Sequence, residues 1–349
     1  MTYTSFDGYP DNQWWVAAAS FKVEKKPLAR ILLEQSVLIY RPTPDSVAIL
    51  EDRCPHRQVP LSLGKQIGSE IQCTYHGLRF GGDGTCTFAP GTNRPLPAAN
   101  IISYPCVERH GYIWVWFGSK QPREELIPDY SYQTSPEFSG KVGYSNIGCS
   151  YLLGIENVLD TSHFGFLHTN SVGSAGYEKG KKEVTVVDGE VHSIRRVDDL
   201  KPSGLFDSFT EAETISQVDV MRWQGPSYMF LKNEVTAPER TFHMRGLAPY
   251  TPEHRNTHHH WFAHFVDFPM PPEAAAKIRE MALLAIEEDK AVLEANQHRI
   301  DSGEALDPVM LPEDKAPVLM RRLNSEMLQR EGVYQPVRPP VPTPRRVAA

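Results

Sequence analysis

The sequence runs to 349 residues, of which 40% are hydrophobic and 23% charged, with a formal net charge of −7 at neutral pH. This composition predicts a globular chain of about two domains, and an acidic balance without a long basic run excludes a nucleic-acid role. The opening MTYTSFDGYP lacks the basic start and apolar run of a signal peptide, and no apolar stretch is long enough for a bilayer, which predicts a cytoplasmic protein with no membrane segment.

From Gln13 to Gly118 short β-like runs (WWVAAA, SVLIYRP, SVAILED, YIWVWFG) alternate with Pro, Gly and Asp turns, predicting an all-β module. Within it, Gly81-Gly82-Asp83-Gly84 reads as a hairpin turn. The Pro- and charge-rich stretch from Ser119 to Pro136 reads as a connector, which puts a boundary near residue 120 and gives domains 1–120 and 121–335. Beyond it, β-like runs surround a helix beginning near Tyr151, so the second domain is expected to be antiparallel sheet with a few helices, an α+β chain as a whole. Ile278, Met281, Ala285, Ile286, Val292 and Leu293 recur at helical spacing from Pro272 to about Ile300, predicting an amphipathic helix. Residues 336–349 read as a loose Pro-rich tail.

Of the five cysteines, Cys86, Cys106 and Cys149 fit buried apolar positions, and the uneven spacing does not suggest a disulfide framework. The other two belong to a pattern. Cys54-Pro55-His56 is followed, sixteen residues later, by Cys73-Thr74-Tyr75-His76. In a Rieske [2Fe–2S] centre two thiolates hold one iron and two imidazoles the other, so each of two loops must present one Cys and one His. The alternative is a Cys₂His₂ zinc site, but zinc fingers pair Cys with Cys and His with His, and C-x-H is too tight a bite for one.

A second constellation lies in GIENVLDTSHFGFLH. Asn157, Asp160 and His163 stand at successive i, i+3 intervals, expected along one helix face, with His168 five residues on. The two imidazoles can meet at one ion if the helix ends or bulges between them, and Gly165 is placed to permit it. Two His and a carboxylate are what a non-haem Fe(II) oxygenase site requires. The carboxylate is missing locally, and Glu287, Glu288 and Asp289 in EEDK all remain candidates. The plainer reading is that His163 and His168 are partly buried helix histidines; the cluster upstream argues against it, because a one-electron carrier fused to a second domain needs an acceptor.

These motifs, with WWVAA, CTYHGL, VERHGYIWVW, RWQGPS and EEDKAVLEA, resemble the Rieske non-haem iron oxygenases over nearly the whole chain, and most of all the vanillate demethylase, dicamba monooxygenase and toluenesulfonate methyl-monooxygenase group. The resemblance implies a helix-grip catalytic domain in which His163, His168 and Asp289 bind mononuclear Fe(II), with Asn157 beside it as a distant or water-mediated ligand. It implies that Asp160 bridges His163 and a cluster histidine, His76 of the partner subunit, in a head-to-tail homotrimer. It further implies monooxygenation of a methoxy or methyl carbon on a small aromatic compound, with O-demethylation passing through a hemiacetal that loses formaldehyde. Ring dihydroxylation is the enzymatic alternative, and an electron carrier with a non-catalytic second domain the alternative of another class. No G-x-G-x-x-G follows a strand, so a ferredoxin or flavin reductase must supply electrons. Gln58, where the family commonly has glycine, and Thr74, where it often has proline, depart from the pattern. Pocket residues are expected near Trp223, Tyr228 and His258 to His264, and His258-His259-His260 is read as structural rather than as a second metal site, since alternate strand residues face opposite ways.

Overall fold

The computed structural model describes residues 7–23, 26–169, 171–207, 209–270, 272–303 and 308–336; most of the Pro-rich tail, residues 337–349, lies outside them. The chain divides into two compact units, residues 11–127 with 333–349, and residues 1–10 with 128–332. Among the described residues no helix is long and apolar enough to cross a membrane.

The first unit is all β. Gln13–Ala19 pairs antiparallel with Tyr112–Phe117, and both strands are buried along their whole length, which is why they read as continuous apolar runs rather than alternating ones. Trp14, Trp15, Trp114 and Trp116 fill this core, and Tyr334 returns from the far end of the chain to place its ring 5.2 Å from that of Phe117. A second sheet runs in the order Leu28–Leu32, Gln35–Tyr40, Ala48–Glu51, Ser103–Tyr104, and a third in the order Lys65–Ile67, Glu70–Gln72, Arg79–Phe80, Cys86–Phe88. The expected hairpin turn joins the last two strands, with Asp83 Oδ1 accepting from the Thr85 amide at 3.0 Å.

The second unit is built on a seven-stranded antiparallel sheet. Its order is Ser139–Ile147, Thr257–Val266, Arg240–His254, Tyr228–Ala237, Ile215–Gln224, Glu190–Leu200, Lys181–Val187. Ile215–Gln224 alternates strictly between buried and half-buried residues, the pattern of a sheet with one covered face. Four helices accompany it: α1 (Tyr151–Leu159), α2 (Phe164–Leu167), α3 (Pro272–Asp301) and α4 (Lys315–Glu331). Glu294 and Gln297 of α3 accept from the Gly148 and Ser150 amides at 2.8 Å each, so α3 satisfies backbone donors at the start of α1 and fixes its entry.

The expected single helix face through Asn157, Asp160 and His163 is corrected by the backbone. α1 stops at Leu159; Asp160 leaves the helical region with φ −106° and ψ 94°, and a short 3-10 turn, Thr161–His163, precedes α2. The break lies at Asp160 and not at Gly165, which sits inside α2. Its cause is local: the Asp160 carboxylate accepts from Ser162 N at 3.0 Å and Ser162 Oγ at 2.9 Å, capping the next turn and competing with helix continuation. After α2 the chain doubles back, with Ser171 and Gly173 amides both donating to the His168 carbonyl. A Cβ at Gly173 would lie 1.9 Å from the Phe164 carbonyl oxygen and 2.9 Å from that of His168, so only glycine allows this turn to close on α2. Gly173→Ala is therefore expected to cost about 1–3 kcal/mol of stability and to displace His168. Iron and acid-labile sulfide analysis checks it: iron bound outside the cluster should fall while sulfide is retained, and full iron retention would refute the role given to this turn.

Candidate metal centres

Two loops of the first unit carry the Cys and His residues, and their backbones follow one plan. Cys54 N donates to Val59 O and Gln58 N to Cys54 O; in the second loop Cys73 N donates to Leu78 O and Gly77 N to Cys73 O. The fourth residue after each cysteine has positive φ, +61° at Gln58 and +76° at Gly77. Glycine takes that conformation freely, whereas a side chain there costs about 1–2 kcal/mol. The departure noted at Gln58 is thus a strained residue in a geometry the two loops share, and its side-chain amide reaches back to Pro55 O at 3.2 Å.

The four side chains divide by polarity. Cys54 and Cys73 are 2% and 1% exposed, in an apolar core with Leu38, Leu50, Leu61, Ile71 and Phe80, and their thiols contact each other. His56 and His76 are exposed, with ring centroids 4.5 Å apart. Burial pushes the Cys54 thiol up to about 11, while the peptide N–H groups of His56 and Arg57 act in the opposite sense. Two adjoining thiols below two adjoining imidazoles fit a dinuclear cluster that needs sulfur on one iron and nitrogen on the other.

In the second unit His163, His168 and Asp289 bring their ligand atoms within 4.8 Å of one another. His163 Nε2 lies 3.5 Å and His168 Nε2 3.2 Å from the same oxygen, Asp289 Oδ1. Each ring is tied at its other nitrogen: His163 Nδ1 to the Asp160 main-chain carbonyl at 2.7 Å, His168 Nδ1 to Glu288 Oε2 at 2.8 Å. An Nδ1–H committed to these acceptors leaves the Nε2 lone pairs aimed at one point, the arrangement metal-ligating histidines adopt. Burial works to raise the Asp289 carboxyl, but the side-chain bonds and charges of His163 and His168 hold it well below the usual carboxylate range. For His168 burial works to lower the imidazole, and Asp289, then Glu288, overcome it and hold it above its ordinary value. Two neutral-capable imidazoles and one ionised carboxylate on one side of a point fit divalent non-haem iron.

Asn157 Nδ2 donates to Asp289 Oδ1 at 2.9 Å and stands 3.5 Å from His163 Nε2. Asp160 is hydrogen-bonded to His163, through its main-chain oxygen, while its carboxylate is turned to Ser162 and to Lys182, 3.4 Å away. Glu288, weighed only as a rival ligand, instead accepts from Ser171 Oγ at 2.6 Å and bonds His168. The helical phase of α3 separates the three acids. Ile278, Ala282, Ala285, Asp289 and Leu293 form its buried stripe, and Glu287 is exposed.

The histidine run divides as strand alternation requires. His259 faces Tyr144, whose hydroxyl lies 2.8 Å from Nδ1. His258 is on the opposite face and donates from Nδ1 to Cys149 O at 2.8 Å, beside Gly154 of α1. His260 stacks on Tyr250 at 4.4 Å, neither of its buried ring nitrogens has a partner among the described residues, and the charge of Asp289 reaches both rings. Burial lowers His258 to about 4 and His260 to about 3, so both are neutral near pH 7. Trp223, by contrast, packs at the Gly225 turn beside Met327 of α4.

Residues 13–105 match the Rieske [2Fe-2S] domain, and residues 147–330 match the vanillate O-demethylase oxygenase C-terminal domain. The oxygenase component of dicamba O-demethylase from Stenotrophomonas maltophilia is 33% identical over 334 residues, covering 92% of this chain and 98% of that protein. A crystal structure of dicamba monooxygenase bound to 3,6-dichlorosalicylic acid superposes with a TM-score of 0.85 at 32% identity, covering 95% and 99% of the two chains. Another, holding non-haem iron and dicamba, gives 0.76 at 29% identity, covering 95% and 99%. With two metal-fitting centres and these matches along its length, the chain belongs to the Rieske non-haem iron oxygenases of the vanillate O-demethylase group, as the oxygenase component of a multicomponent system.

Proposed function

We propose that this protein removes or hydroxylates a methyl group on a small aromatic compound, with Cys54, His56, Cys73 and His76 holding the Rieske cluster and His163, His168 and Asp289 holding Fe(II). The observation that carries the reading is the convergence of two imidazole Nε2 atoms on one buried carboxylate oxygen, each ring locked through Nδ1. When bound, the two metal centres supply one-electron transfer and O₂ activation, chemistry no side chain provides. The protein's part is positioning. Glu288 and Ser171 set the His168 ring, the Asp160 carbonyl sets His163, and Asn157 keeps a donor on Asp289 Oδ1. Losing such an outer partner typically costs about 10–100-fold in metal affinity or activity.

Electrons are taken from a separate ferredoxin or flavin reductase. The relay between centres runs from His76 of the partner subunit to the Asp160 carboxylate and on to His163 through the main-chain oxygen of the same residue, in a homotrimer. An exposed Tyr75 beside His76 and an exposed Phe166 on α2, 60% and 73% accessible, support contact surfaces at both ends of that relay. Neutral His260 and its partner Tyr250 are read as a wall of the substrate site, offering a hydrogen bond without charge. A reducing, cytoplasmic setting suits a chain whose few cysteines are unevenly spaced and include two cluster ligands.

Two measurements test this. Asp289→Ala is expected to lower iron from about three to about two per two acid-labile sulfides while the cluster's visible absorbance stays; unchanged iron would show that another carboxylate is the ligand. Methoxybenzoates, aryl sulfonates and unsubstituted aromatic acids, offered with a surrogate reductase, should yield formaldehyde or a hydroxymethyl product from a methyl-bearing member. A diol from an unsubstituted acid, with no formaldehyde from any member, would replace the proposal by ring dihydroxylation.

A further inference from the structure

The Asp160 carboxylate sits at the edge of a charged network that the iron site does not use. Lys182, whose side chain is only 8% exposed, places Nζ 3.4 Å from Asp160 Oδ1, 3.1 Å from Glu313 Oε2 and 2.6 Å from the Glu313 carbonyl oxygen. An ammonium has three N–H donors, and three acceptors surround this one. Glu313 Oε2 is shared with Arg195, 2.6 Å away and 2% exposed. Arg195 also reaches Thr161 Oγ1 at 3.3 Å and the carbonyls of Glu178 and Gly180 at 3.1 and 3.2 Å. Tyr177 links Thr161 to the buried Asp219. The segment Asp160–Thr161, where α1 breaks, is thus gripped on both residues by buried cations.

We propose that Lys182 is a positioning residue for the electron relay: it orients the Asp160 carboxylate so that its remaining acceptor capacity is presented outward to the cluster histidine. This rests on the relay reading of Asp160 given above. A carboxylate has about four lone-pair sites. On Oδ1 they meet Ser162 N and Lys182; on Oδ2 one meets Ser162 Oγ. One acceptor site on Oδ2 is left, on a side chain that is 23% exposed. Without Lys182 the carboxylate keeps only Ser162, its neighbour in the chain, and can turn toward solvent. A lysine with a long apolar stem delivers a charge to this place from the sheet edge without opening the site to water.

The sign of a redox shift separates positioning from plain electrostatics. Removing a negative charge beside a cluster imidazole favours the reduced cluster, so Asp160→Asn should raise the midpoint potential. Loss of the Lys182 cation, acting only as a charge, should lower it. Acting through Asp160, Lys182→Met should raise it, in the direction of Asp160→Asn and by less, and Lys182→Arg should restore it. Glu313→Gln, which keeps the Lys182–Asp160 pair, should lower thermal stability with the potential unchanged. The measurement is a dye-mediated titration of the purified holoenzyme followed by cluster absorbance, with iron and sulfide content as the check on folding; Lys182→Gln replaces Lys182→Met if the latter does not retain its metals. A potential unmoved by Asp160→Asn would overturn the relay reading itself. A shift in Asp160→Asn with a lowered or unchanged potential in the Lys182 variants, or a Glu313→Gln shift matching theirs, would overturn the role of Lys182 alone.

Discussion

A carboxylate withdrawn from water sets the terms for the second unit. Asp289 occupies a position in the apolar stripe of α3, where an isolated charge is prohibitively costly, so its neighbours must compensate. His163, His168 and Asn157 do so, and each requires a support of its own. His168 is buried at the turn that only Gly173 permits and is oriented by Glu288, the residue preceding Asp289 on the same helix. One turn of α3 therefore delivers both the acid on which the two imidazoles converge and the acid that orients one of those rings. His163 needs the helix to end early so that a main-chain carbonyl is free to take its Nδ1–H, and Asp160 ends it.

The first unit solves the opposite problem. Its thiols are in the apolar core and its imidazoles are at the surface, so the same four residues bury one end of the site and expose the other. The two loops achieve this with a repeated hydrogen-bond plan that demands positive φ at its fourth position. Gln58 meets that demand against its own preference, and Gly77 without cost. The peptide N–H groups at Cys54 Sγ belong to the same loop geometry, and hydrogen bonds to cluster sulfurs are among the levers that set a potential.

What the sequence made legible follows the range of the interactions involved. The candidate cluster residues are announced by spacing because each Cys–His pair shares one short loop. Strands and α3 are announced by periodicity, although Val292, in phase on paper, is exposed. The same helical phase places Asp289, and not Glu287, in the buried stripe. The i, i+3 spacing of Asn157, Asp160 and His163 misled because it presumes an unbroken helix, and the short-range competition of an Asp side chain with the backbone decides otherwise. Lys182, Arg195 and Glu313, and the actual role of Glu288, were not legible for a different reason: their partners lie elsewhere in the fold, and charged residues in a strand or helix look like solvated ones until the fold buries them.

Asp160 carries two tasks on two different groups, and this division has a physical advantage. Its main-chain oxygen orients an iron-side imidazole; its side chain faces Ser162, Lys182 and the exterior. Were both tasks on the carboxylate, any rotation of that side chain would also rotate His163 and shift its Nε2 relative to Asp289. With the ring held by a peptide carbonyl, the carboxylate can be reoriented while the Nε2 lone pair stays aimed. The break in α1 is what makes the separation possible, since a carbonyl inside a continuous helix would be committed to the amide four residues on. A local competition between an Asp side chain and the helix ladder thus leaves the Asp160 carboxylate outside the contacts that hold His163.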